Sequence, residues 1–150
     1  MDTIKIKTYE QVHGPGTFVS FRTLSKAEAD DVLKRIKHKL SLPEHLEAVR
    51  VLQFIRDTSH PVHGVDATRD NFDPKELFRQ LSLPRSGNVL LNWYRFDRID
   101  EIRAEDLYLF FGDIWYPFSD DLDIVDPSLN WIVSIDHSGS VRAFRIAAVS

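Results

Sequence analysis

Hydrophobic positions near the start of the chain alternate with polar ones. In TIKIKTY, Ile4 and Ile6 interleave with Lys5 and Lys7, the two-residue period of a half-exposed strand. After the turn sequence HGPG, the run TFVSFRTL sets Phe18, Ser20 and Arg22 opposite Val19 and Phe21, so the two runs predict a hairpin. The period then lengthens. Ala29, Val32, Leu33, Ile36 and Leu40 recur at helical spacing, with Ser25 as N-cap and Glu28 completing a capping box. Lys34, Arg35, Lys37 and Lys39 collect toward the end of this helix, where they suit its dipole.

Pro43 opens a second predicted helix over EHLEAVRVLQFIRD. Its apolar residues, among them Leu46, Val49, Val51, Phe54 and Ile55, cover more than one stripe, which predicts a central helix. The segment TSHPVHGVDATRDNF has no period and reads as a long loop. Asp73 and Pro74 then cap and start a short third helix, PKELFRQL. The tetrapeptide LSLP occurs at residues 40–43 and again at 81–84, with flanks that share nothing, so it marks no internal repeat.

Later the pattern turns to strands. NVLLNWYRF, residues 88–96, predicts a strand buried on both faces. Residues 104–111 predict a short helix, although DLYLFF also fits a strand. Residues 121–126, 130–136 and 140–146 predict three strands joined by the turn sequences DPSLN and HSG, an antiparallel meander. Helices placed early and strands placed late predict an α+β fold: a single globular domain over residues 1–150, its helices on a mostly antiparallel sheet.

Composition narrows the class. The 150 residues are 43% hydrophobic and 28% charged, a globular balance with enough chain for one core. No apolar run is long enough to span a bilayer, and MDTIKIKTYEQ lacks the apolar stretch of a signal peptide. The chain contains no Cys, which excludes disulfides and thiolate metal sites and fits a reducing cytoplasm. Charge is unevenly spread. Residues 97–126 hold ten acids against Arg98 and Arg103, a local net of -8 in a chain whose total is -4. Such a segment disfavours nucleic acid and favours a basic partner.

Candidate chemistry gathers in GDIWYPFSDDLDIVD, residues 112–126. Trp115, Tyr116 and Phe118 are interface-type side chains that also serve as core, and Pro117 stiffens the turn presenting them. Asp113, Asp120, Asp121 and Asp123 surround them. In a strand Asp121 and Asp123 share one face, with Leu122 and Ile124 on the core side. These seven residues form the candidate partner-binding set. An alternative is a metal-dependent enzyme that uses His60, His63 and Asp66, or the Asp120–Asp126 cluster; the latter lacks the Gly and Glu of an EF-hand loop. A small-ligand module would instead need a pocket lined by Trp93, Tyr94 and Trp115. No G-x-S-x-G elbow, phosphate-binding glycine loop or cofactor motif is present, and His137 in IDHSGS reads as a turn residue, so no catalytic group and no cofactor are expected.

WYPFSDDLDIVDPSLNWIVSIDHSGSV resembles the closing meander of bacterial immunity-type domains, and LPEHLEAVRVLQFI resembles the Leu-Pro helix start of the SUKH superfamily. The likeness covers about a third of the chain. The glycine-rich turn expected after the helix is represented only by His63 and Gly64, after a longer loop. The resemblance implies an α+β immunity protein that neutralises a toxin, often a nuclease, by direct binding. A basic toxin domain is therefore the expected partner, with neither nucleic acid nor membrane.

Overall fold

The computed structural model describes residues 1–146. Its first departure from the sequence pattern comes at once. TIKIKTY is part of helix α1 (Thr3–His13), N-capped by Asp2, whose carboxylate accepts from the Ile4 N–H at 3.0 Å. The expected polarity is inverted at one pair: Lys5 is buried and Ile4 is exposed. The predicted hairpin is therefore absent, and TFVSFRTL contributes only the two-residue strand β1 (Arg22–Thr23). Helix α2 (Lys26–Lys39) follows as expected. Ser25 Oγ accepts from the Glu28 N–H at 3.2 Å, and Glu28 Oε2 accepts from the Ser25 N–H at 2.7 Å.

Helix α3 (Ala48–Thr58) starts five residues after Pro43, with Glu47 at its N-cap. It is peripheral rather than central, burying Val51 and Ile55 while Val49 stays exposed. The segment expected as a loop supplies strand β2 (His60–Asp66), which lies at the sheet edge against β7. Pro61 and a register shift before Asp66 hide its strand character from any periodicity. Helix α4 (Pro74–Gln80) begins where Asp73 caps it. Strand β3 (Asn88–Tyr94) is buried on both faces over Val89–Asn92, and β4 (Arg98–Arg103) returns beside it. The turn between them places Arg95 and Phe96 at positive φ without any glycine. Asn92 Oδ1 secures it by accepting from the Phe96 N–H at 3.0 Å, and the Phe96 ring is buried.

Helices α5 (Ala104–Leu109) and α6 (Phe111–Ile114) precede the meander of β5 (Leu122–Val125), β6 (Trp131–Ile135) and β7 (Ser140–Arg145). The fold is α+β. Among the described residues every strand pairing is antiparallel, and the seven-stranded order is β1-β4-β3-β5-β6-β7-β2. Pleating divides the core between the two faces. Leu91, Ile102, Leu122, Ile124 and Val133 pack with Leu77, Phe78, Leu107 and Ile114 of α4–α6. On the other face Leu90, Ile99, Val125 and Ile132 meet Val32, Ile36, Val51 and Ile55 of α2 and α3. Each such buried aliphatic side chain contributes about 1.5–3 kcal/mol.

Candidate functional site

Helix α6 ends at Ile114, and the chain turns through residues 115–121 before entering β5. Trp115 points inward. Its ring stacks on Phe111 with centroids 5.6 Å apart, and its Nε1 donates to the Asp120 carbonyl at 3.0 Å. That bond closes the loop on itself. The Tyr116 N–H reinforces it by donating to Asp120 Oδ2 at 2.7 Å. Tyr116 and Asp113 are half-buried at the base of the loop.

At its tip the loop does the opposite of what burial favours. Phe118 is 82% exposed and sits at φ 68°, a left-handed conformation that a bulky side chain adopts only under constraint. The constraint is visible: its N–H donates to the His137 carbonyl at 2.8 Å. Asp121 ties the same two turns together, accepting from the His137 N–H at 2.8 Å and lying 2.9 Å from His137 Nδ1. The 115–121 loop and the β6–β7 turn thus form one ridge, with Phe118 at the crest and Asp121 beside it.

The remaining aspartates are engaged elsewhere. Asp120 receives the buried Lys5 ammonium at 2.6 Å. Burial lowers the Lys5 pKa, and the hydrogen bond and charge of Asp120 only partly offset that. Asp121 lies outside β5, so it does not share a strand face with Asp123. Asp123 turns toward the α2–α3 side of the sheet, where its carboxylate accepts from Ser134 Oγ at 2.6 Å and Asn92 Nδ2 at 3.1 Å. Burial pushes its pKa up against those two bonds. Asp126 caps the β5–β6 turn through the Ser128 and Asn130 N–H groups. Part of the acidic segment is paired within the molecule: buried Asp100 accepts from Thr23 Oγ1 and Trp93 Nε1, while nearer the surface Glu101 meets Arg22 and Glu105 meets Arg103. Asp97, Glu105 and Asp121 remain exposed.

His60, His63 and Asp66 share strand β2 but make no joint site. Asp66 accepts from the Thr68 N–H and Oγ1 and pairs with Arg69. Among the described residues no group of three or more His, Asp or Glu side chains is disposed to hold a metal ion. Trp93, Tyr94 and Trp115 do not line one pocket either. Trp93 lies under Lys5, Tyr94 is half-exposed beneath the Arg95 guanidinium, and Trp115 is core. Lys5 and His137 were not legible as site residues: a Lys in an alternating run and a His in a turn have ordinary readings. No helix among the described residues is long and apolar enough to cross a membrane. No protein-family model matches the chain, and neither a curated protein nor a solved structure matches it at a significant level.

Proposed function

We propose that this chain is a cytoplasmic, non-catalytic immunity-type protein that binds a basic toxin domain, with Phe118 as the anchor of the contact. The observation that carries this reading is Phe118 itself, presented to solvent in a left-handed backbone conformation. Holding a non-glycine residue there costs about 1–3 kcal/mol, and exposing the ring returns none of it within the molecule. A partner pocket closing over the ring returns it. Asp121, 60% exposed beside the crest, adds the charge that selects and steers a basic partner. Asp113 and Tyr116 flank the contact, Trp115 and Asp120 build the scaffold beneath it, and Asp123, bonded to Asn92 and Ser134 on the other side of the sheet, lies away from it. The resemblance of this segment to the immunity-type meander points the same way.

The test is capture of the cognate toxin by the wild-type protein, followed by affinity measurement for Phe118→Gly and Asp121→Arg. Phe118→Gly relieves the positive φ, so its unfolding free energy should be unchanged or up to about 1 kcal/mol higher. Binding should nevertheless fall by about 2 kcal/mol or more. For Asp121→Arg the association rate should drop and lose its salt dependence. Full affinity in both variants would place the interface elsewhere.

A further inference from the structure

Helix α1 is held to the molecule in an uncommon way. Lys5 is its one fully buried residue, while Ile4 and Val12 stand in solvent. A helix of 11 residues with so little apolar contact is marginal alone, so its anchors decide where it sits. They are Lys5, the Met1 nitrogen on Asp100, and Tyr9 edge-on to Phe18 and Phe110.

What Lys5 enters is an ammonium site supplied wholly by the rest of the chain. Its Nζ lies 4.0 Å from the Trp93 ring centroid and 5.2 Å from that of Tyr116. It donates to Asp120 Oδ2 at 2.6 Å and to the Ile114 carbonyl at 2.7 Å. Two π-faces, a carboxylate and a carbonyl present an electronegative wall to a group that only donates. The walls hold one another without Lys5: Trp93 Nε1 is fixed by buried Asp100, and Asp120 by the Tyr116 N–H. The ion pair itself contributes little net stability, because desolvating the ammonium offsets its attraction to Asp120. A second ammonium of the same shape can therefore replace it at small net cost.

We infer that Trp93, Tyr116, Asp120 and the Ile114 carbonyl form a receptor for a primary alkylammonium, occupied in cis by Lys5, and that a lysine of the bound partner takes that place when α1 lifts. The exchange with a partner rests on the proposed function, since Tyr116 and Asp120 stand two residues either side of Phe118. The receptor itself does not rest on it.

Lys5→Ala removes a fragment matching n-propylammonium. The variant should melt below wild type and recover at least half of the loss with n-propylammonium chloride, but not with 1-propanol or sodium chloride at equal concentration. If the variant is unfolded alone, refolding yield under the same additions is the readout. The double variant Lys5→Ala/Asp120→Asn should show no recovery. Equal recovery with 1-propanol, or none with the amine, overturns the receptor. Pentalysine binding by calorimetry then tests the exchange: Lys5→Ala should bind about tenfold more tightly than wild type, because the Lys5 ammonium no longer competes for the site. Recovery with the amine but equal pentalysine affinity in the two proteins keeps the receptor and overturns the exchange. Toxin captured through Phe118 without amine recovery keeps the proposed function and removes the receptor.

Discussion

At the scale of single residues, environment reverses what composition implies. Lys5 and Ile4 exchange the places their polarity assigns, because one buried ammonium finds a carboxylate and two rings while the neighbouring isoleucine finds nothing. Asp123 shows the same reversal. In sequence it belongs to an acidic cluster; in the fold its carboxyl is enclosed by Ser134 and Asn92, and burial raises its pKa above the ordinary 3.8. Arg56 opposes the rise and Asp121 adds to it. A carboxyl that binds its proton more tightly folded than unfolded stabilises the fold below the unfolded pKa, and that contribution is lost as pH rises through the folded value. Asparagine can accept from Asn92 and donate to Ser134 Oγ, so Asp123→Asn keeps both bonds without titrating. Its melting temperature relative to wild type should climb as pH is raised above the ordinary carboxylate value. A difference that stays flat or shrinks as pH rises would show that Asp123 ionises without penalty.

At the scale of elements, local chemistry was legible where it closes on itself. The box at Ser25 and Glu28 and the cap at Asp73 need only a few consecutive residues, and both form. The recurring LSLP acquires a meaning that its flanks hid: it ends α2 and α4 in the same way. Ser41 and Ser82 both sit at φ 55°, each followed by a leucine whose N–H reaches back across the last turn, Leu42 to the Lys37 carbonyl at 2.8 Å and Leu83 to the Phe78 carbonyl at 2.9 Å. The Ser41 and Ser82 N–H groups donate to the His38 and Arg79 carbonyls, completing two Schellman stops. Glycine occupies this conformation without a Cβ penalty, so Ser41→Gly and Ser82→Gly should each raise unfolding free energy by about 0.5–1 kcal/mol. Denaturant titration of the single and double variants checks both size and additivity, as the two stops lie on opposite faces of the sheet. Strand β2 and the β3–β4 hairpin were not legible, since one carries Pro61 and a register shift and the other turns without glycine.

At the scale of the whole molecule, the edge of the sheet hangs on one turn. Strand β2 meets β7 through His60–Ala143, Pro61–Arg142 and Asp66–Ser140, and the Ala67 N–H then donates to the Gly139 carbonyl at 2.9 Å. Gly139 has φ 91°, and a Cβ there would drive into the Asp66 carboxylate and Thr68. Gly87 has φ 89° with open space around it. Gly139→Ala should therefore cost more than about 2 kcal/mol and expose β2 amides to hydrogen exchange, while Gly87→Ala should cost only the backbone strain of about 1 kcal/mol. Equal costs would mean that the Asp66–Gly139 approach holds nothing together.

The amino-acid sequence by itself determined the α+β class, the capped helices α2 and α4, the buried strand β3 and the closing meander, because short-range periodicity and capping decide those. Tertiary structure alone decided that TIKIKTY is a helix pinned by a buried lysine, that seven strands order themselves around β5, and which members of the WYPFSDDLD stretch see solvent. Asp123 goes inward and Phe118 and Asp121 outward because their partners (Ser134, Asn92 and His137) come from other elements. Those contacts are set by how distant segments meet, which no local pattern records.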